Sequence, residues 1–308
     1  MKLAFVFPGQ GSQAVGMMNA WADVPVVKAT FDEASGILGQ DLWQMVVDGP
    51  AETLNATINT QPVMLTAGVA VWRAWLASGG RVPDVLAGHS LGEYSALVAA
   101  EAISFGDALQ LVRLRAEAMQ AAVPAGEGAM AAVLGLDDAA IIEACAEAAQ
   151  GDVVQAVNFN SPGQVVIAGS KAAVERACEV CKAKGAKRAM LLPVSVPSHC
   201  DLMQPAAEQL KARLNTLALA TPKIPVIHNA DVTSYSDIAQ IKDALVRQLY
   251  KPVRWVETVQ SMSADGVTVF AECGPGKVLA GLGKRIASDG QQFALTDPAA
   301  FDALRTAL

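Results

Sequence analysis

Basic residues are scarce in this chain. Its 308 residues carry 23 lysines and arginines against 30 aspartates and glutamates, for a formal net charge of −7 and a pI near 5.0. A fold-wide basic surface is therefore missing, which argues against general nucleic-acid binding. An acidic partner would have to dock on a local basic patch. No apolar run approaches the ~20 residues that cross a bilayer. The opening "MKLAFVFPGQ" has one lysine and a five-residue apolar run stopped by Pro8, too short for a secretory signal. A cytoplasmic protein without membrane contact is expected. The five cysteines are odd in number and fit reduced thiols. Cys178 and Cys181 form a lone C-x-x-C inside a helical stretch, with no second pair, and read as packing on a helix face. No metal and no tightly bound cofactor are expected. Repeats and low-complexity tracts are also missing. Histidine is rarest in its consequences: only His89, His199 and His228 are available for acid–base work.

What is present is apolar. Hydrophobic residues make up 52% of the chain, enough for a substantial core. At ~150 residues per domain, the length suggests one large domain, or one with a smaller partner. "LAFVF" and "DVLAG" read as buried strands, and "QPVMLTAGVAVWRAWLASGG" as a helix ended by Gly79 and Gly80. "SFGDALQLVRLRAEAMQAAVP" reads as a helix, with Ser104 as N-cap and Pro124 past its end. This alternation predicts a mostly parallel sheet covered on both faces. The middle of the chain differs. "AMAAVLGL", a helix over 137–149, "VVQAVNFN", "QVVIAGS", a helix over 171–184 and "AKRAMLLPVSV" give the order β-α-β-β-α-β. That is the ferredoxin-like pattern. It predicts a small inserted unit at 128–194, with 1–127 and 195–308 forming the larger unit. Strands near "IPVIHNA" and at "VTVFAEC" resume the larger sheet.

"VLAGHSLGEYSAL" places Ser90 between Gly88 and Gly92, after a strand and before a helix. This is the context of a G-x-S-x-G elbow, which lifts a nucleophilic hydroxyl above the strand ends. The N–H of Leu91, at the helix start, can face an oxyanion. A serine needs a base to react near neutral pH. His199 leads by elimination, since "VSVPSHC" is a proline-bounded loop where the chain leaves the insert. His228 ends a strand and His89 adjoins the serine, and both remain alternatives. Asp107, Asp137, Asp138 and Asp152 lie between serine and His199, none in a telling context. A main-chain carbonyl is the other way to orient the base. "FVFPGQGSQAVG" matches G-x-G-x-x-[GA] at 9–14, but no second strand carries the acid a dinucleotide site needs. The loop reads either as a tight turn or as a second oxyanion donor through the N–H of Gln10. "ECGPGKVL" lacks the spacing and the Ser or Thr of a Walker A loop.

Taken together, "FVFPGQGSQ", "TQPVMLTAGVA", "AGHSLGEYSAL", "LVRLRAEAMQ", "NFNSPGQVVIAG", "PVSVPSHC", "VRQLYKPVRW" and "GPGKVLAGL" run through the chain in one order. The chain resembles the bacterial malonyl-CoA:acyl carrier protein transacylases of fatty acid synthesis. More distantly, it is similar to the acyltransferase domains of polyketide and fatty acid synthases. The resemblance implies an α/β-hydrolase-like core with a ferredoxin-like subdomain. It implies Ser90 as nucleophile, His199 as base, and the N–H groups of Gln10 and Leu91 as oxyanion donors. It implies that the main-chain carbonyl of Gln248 orients the histidine, in place of a carboxylate. It implies Arg115 as the partner of a substrate carboxylate, and malonyl-CoA and phosphopantetheinylated acyl carrier protein as substrates. A monomer is expected, although nothing in the sequence fixes the oligomeric state. Met119, one helical turn from Arg115, and Asn158 are expected in the same pocket. Ser198, before the histidine, stands where acyl side-chain choice is made in the family. "CKAKGAKR" and the group Lys277, Lys284 and Arg285 are candidate docking patches for an acidic carrier.

The arginine has its own logic. Malonyl differs from acetyl by a free carboxylate, which a guanidinium can bind bidentately. A buried arginine left unpaired by a substrate without that group penalises it. Arg113, two residues away, should point elsewhere.

Overall fold

The computed structural model describes every residue except Ser195. Among the described residues nine strands are formed: β1 (Lys2–Phe7), β2 (Val85–Gly88), β3 (Gly128–Leu134), β4 (Val154–Ser161), β5 (Gln164–Ser170), β6 (Arg188–Leu191), β7 (Val226–Ile227), β8 (Val267–Glu272) and β9 (Gln291–Ala294). They build two sheets. The larger has the order β7-β2-β1-β8-β9 with every pairing parallel. The smaller has the order β4-β5-β3-β6 with every pairing antiparallel.

β1 shows why the parallel sheet forms at the centre. Its residues alternate between two cores. Leu3, Phe5 and Phe7 pack into one apolar cluster, while Ala4 and Val6 pack into another on the opposite face. A strand covered on both faces reads as a continuous apolar run, and "LAFVF" is one. Fully burying Phe5 or Phe7 contributes about 2–3 kcal/mol each by area. The small sheet has a cluster of its own, drawn from residues 129–189 of β3–β6 and the two helices between them. Its helices are Asp138–Ala149, capped by Asp137, and Lys171–Ala183. Cys145, Cys178 and Cys181 are buried there, and burial pushes Cys181 up to about 11 and Cys145 up to about 12. They are packed thiols, and among the described residues no group of three or more His, Cys, Asp or Glu is arranged to hold a metal. Among the described residues, no helix is long and apolar enough to cross a membrane.

One strand expectation needs correction, and one strand was not expected. β6 ends at Leu191, short of the expected run through Val196. Leu192 still donates to Met130 O at 2.8 Å, but Pro193 has no N–H to continue the ladder. Ser195 lies outside the described residues. The edge strand β9 has no counterpart in the sequence reading, because "QQFA" carries no apolar run.

Register positions the site. Phe7 pairs with Gly88, so the loop after β1 and the turn after β2 leave the sheet side by side. Ala87 pairs with Ile227, which puts His228 and Asn229 at the same edge. The carboxyl ends of parallel strands are where such sheets place their ligands.

Candidate active site

The turn after β2 is tight and strained. Ser90 has φ 51, a left-handed conformation that costs a non-glycine residue about 1–2 kcal/mol. Neighbouring backbone leaves no room for relaxation. A Cβ on Gly92 would lie 2.0 Å from Phe7 O, and one on Gly9 would lie 2.5 Å from His89 O. The two loops therefore interlock, and only glycine fits at either contact. Asn229 holds the turn from the side: its Oδ1 accepts from Ser90 N at 2.8 Å, and its Nδ2 donates to Gly88 O at 2.7 Å. Among the described residues, the N–H groups of Gln10 and Leu91 have no hydrogen-bond acceptor. Both border the cavity beside the serine.

His199, 2% exposed and also in a left-handed backbone position with φ 65, reaches this turn from a distant loop. Its Nε2 lies 2.7 Å from Ser90 Oγ. Its Nδ1 lies 2.7 Å from Gln248 O. A carbonyl can only accept, so Nδ1 carries the proton of the neutral ring and Nε2 presents its lone pair to the hydroxyl. No carboxylate is required for that tautomer. Burial, and then the charge of Arg115, push the His199 pKa down to about 3, so the ring is neutral at physiological pH.

Arg115 enters from the helix Phe105–Ala122, whose buried face repeats Leu111, Arg115 and Met119 at one-turn intervals. Ser104 caps this helix by accepting from Asp107 N at 3.1 Å. The guanidinium is 1% exposed, and no acidic side chain forms a salt bridge with it among the described residues. Its Nη1 donates to Gln61 Oε1 at 2.7 Å, and its Nη2 to Gln248 Oε1 at 3.0 Å and Ser90 Oγ at 3.3 Å. It lies over the Tyr94 ring, 5.5 Å from the centroid. Burial lowers its pKa, and the nearby Tyr94 and Glu93 oppose that shift.

These groups border a cavity of about 520 Å³ between the two sheets. Met119 and Asn158 line it, and so do Ser198 and His89. Met119 Sδ accepts from Gln61 Nε2 at 3.6 Å, while the Asn158 Oδ1 is buried without a partner. Of the three histidines, His199 is the one whose ring reaches Ser90 Oγ among the described residues. His228 turns away to Glu93, and His89 bonds Asn160 Oδ1 at 2.8 Å. Arg113 donates to Gln40 instead of entering the cavity. Of the basic patches, Lys182 and Lys184 pair with neighbouring glutamates, and Arg285 donates to Gln164. Sequence reasoning missed Gln61, Glu93, Asn229 and the side chain of Gln248. Gln61 and Glu93 lie inside stretches that carried the resemblance, but no spacing marks them out.

Fold and site together define an α/β protein that presents an elbow serine to a histidine held by a main-chain carbonyl, with an unneutralised arginine at the same hydroxyl. The chain belongs to the acyl transferase domain family, whose sequence model matches residues 4–295. It is 57% identical over 306 residues to the malonyl CoA-acyl carrier protein transacylase of Salmonella typhimurium, covering 99% of each chain. The Bacillus subtilis protein of that name is 48% identical over 299 residues, covering 96% of this chain and 94% of the relative. Among solved structures, the acyl-carrier-protein S-malonyltransferase of Burkholderia pseudomallei superposes with a TM-score of 0.98 at 60% identity, covering 99% of this chain and 100% of that one. A malonyl-transacylase in complex with its type II PKS acyl-carrier protein superposes with a TM-score of 0.99 at 53% identity, covering all of both chains.

Proposed function

We propose that this chain transfers a malonyl group from malonyl-CoA to the phosphopantetheine thiol of acyl carrier protein, through a malonyl-Ser90 ester, in fatty acid synthesis. One observation carries the reading: Ser90 Oγ lies 2.7 Å from His199 Nε2 and 3.3 Å from Arg115 Nη2. Nucleophile, base and a buried cation meet at one atom. Residues 128–194 act as a small unit over the cavity, and 1–127 with 195–308 carry the chemistry. The protein works as a cytoplasmic monomer without a tightly bound cofactor.

His199 Nε2 takes the Ser90 proton as Oγ attacks the thioester carbonyl. The tetrahedral oxyanion is received by the N–H groups of Gln10 and Leu91. The imidazolium returns its proton to the departing CoA sulfur, leaving the acyl ester with its carboxylate on Arg115. The carrier thiol then enters, gives its proton to His199, and attacks the ester. Collapse restores the Ser90 hydroxyl. Met119 and Asn158 shape the space around the acyl group. Lys187, Arg188, Lys277 and Lys284, which form no ion pair among the described residues, offer the carrier its positive surface.

Radiolabelled malonyl-CoA without carrier tests this directly. Label trapped stoichiometrically on the protein, released by adding carrier, is expected. Continuous release of malonate to water would identify a serine hydrolase instead.

The acid limb of activity follows from His199. The base works only when neutral, and its pKa of about 3 lies below the ordinary 6.5. Acylation kcat/KM should therefore hold level as pH falls through 6.5. Folding moves the other way: unfolded His199 takes up a proton below about 6.5 that the folded ring refuses, so it disfavours folding increasingly down to about 3. CoA release measured between about pH 5 and 8 checks this. A single break near 6.5 in kcat/KM would show that burial and Arg115 do not depress the ring.

A further inference from the structure

We propose that the side-chain amide of Gln248, oriented by the buried carboxylate of Glu93, is a positioning device that aims Arg115 at the acyl carboxylate beside Ser90. The inference rests on Arg115 being the partner of that carboxylate. It adds a second task for Gln248, whose main-chain carbonyl already holds His199.

The orientation of this amide is forced by its neighbours. Its Nε2 faces two acceptors, Ser90 O at 2.9 Å and Glu93 Oε2 at 3.2 Å. Its Oε1 faces a donor, Arg115 Nη2 at 3.0 Å. Turning the amide over would set its oxygen against two acceptors and its NH₂ against a guanidinium that only donates. Gln248 and Glu93 are both fully buried, so water cannot repair such a mismatch.

Glu93 is itself fixed by donors from a separate part of the chain. His228 Nδ1 donates to its Oε1 at 2.6 Å, and Asn229 N donates to its Oε2 at 2.9 Å. The carboxylate thus ties the helix after the elbow to the loop after β7 and, through Gln248, to the arginine. The relay has a chemical purpose. A carboxylate touching Arg115 would neutralise it and compete with substrate. Gln61 Oε1 at 2.7 Å and Gln248 Oε1 orient its two terminal nitrogens without cancelling its charge. Arg115 Nε is buried without a partner, and Nη2 is the nitrogen that faces Ser90 Oγ, at 3.3 Å.

The test measures kcat/KM for malonyl-CoA and acetyl-CoA on full-length variants, with thermal melting recorded alongside. Gln248→Met keeps the carbonyl that holds His199 and removes the amide. Malonyl acylation should fall about 10–100-fold further than acetyl acylation, which carries only what the lost bond to Ser90 O costs both substrates. Glu93→Gln should keep the malonyl-to-acetyl ratio within about threefold. His228 can move its proton to Nε2, which has no partner, and accept the new amide at Nδ1. Glu93→Met removes the carboxylate, leaves Gln248 Nε2 only the Ser90 carbonyl and at most a weak thioether acceptor, and should lower the ratio. If Glu93→Met does not fold, Gln248→Met decides. Equal losses on both substrates would mark a merely structural role and overturn the proposal. Arg115→Ala separates the two levels. If it changes the ratio while Gln248→Met does not, the positioning inference fails alone. If it leaves the ratio unchanged, the reading of the site fails with it.

Discussion

Alanine at Ser90 is expected to lower malonyl transfer by about 10⁴-fold or more and to abolish covalent labelling. The hydroxyl is the one atom that His199 Nε2, at 2.7 Å, is placed to activate. The substitution isolates chemistry from folding unusually well. Apart from the bonds of Oγ to His199 and Arg115, Ser90 is held through its backbone, where N donates to Asn229 Oδ1 and O accepts from Gln248 Nε2. Alanine keeps both. The left-handed strain at φ 51 is also kept, since alanine bears the same Cβ. The melting temperature should therefore move by no more than a few degrees. Mass spectrometry of the protein after incubation with malonyl-CoA reads the label, and a release assay reads the rate. A variant that still carries malonyl would place the nucleophile elsewhere.

Arg115→Ala is expected to cost malonyl-CoA about 10²–10³-fold in kcat/KM and acetyl-CoA much less, so that selectivity collapses or inverts. Removing one partner of a buried charge pair costs about 2–5 kcal/mol, because the other charge is left without a counter-ion. The cavity supplies no substitute cation among the described residues, since Arg113 points to Gln40. Lysine should rescue poorly, because a point charge cannot reproduce the planar fork held by Gln61 and Gln248. A side effect sharpens the test. The charge of Arg115 helps depress His199, so its loss should move the acid limb of acetyl acylation upward in pH. Selectivity that survives the substitution would remove Arg115 from the pocket.

Much of this was legible before any coordinates. Strands buried on both faces announce themselves as apolar runs, and β1 and β2 are such runs. The β-α-β-β-α-β order of the small sheet was equally plain, because its turns and helix caps are local. Edge elements were not. β9 is partly polar and short, and β6 stops at a proline whose missing N–H matters only against a partner strand. Within the site, Ser90 could be found because the elbow is a local conformation with a local signature. The bond between Gln248 and Glu93 spans 155 positions, and the one between Arg115 and Gln61 spans 54. No periodicity connects such residues.

By itself, the amino-acid order determined the central strands and the helices that cover them, where glycine had to permit a strained turn, and that a serine would stand on it. Those are short-range matters of sterics and apolar spacing, settled within a few residues. Which of three histidines meets that serine, which carbonyl sets its tautomer, and which amides hold the arginine were decided only when the register of the parallel sheet brought remote loops to one edge. Hydrogen bonds and charges act over a few ångströms of space, whatever the distance along the chain.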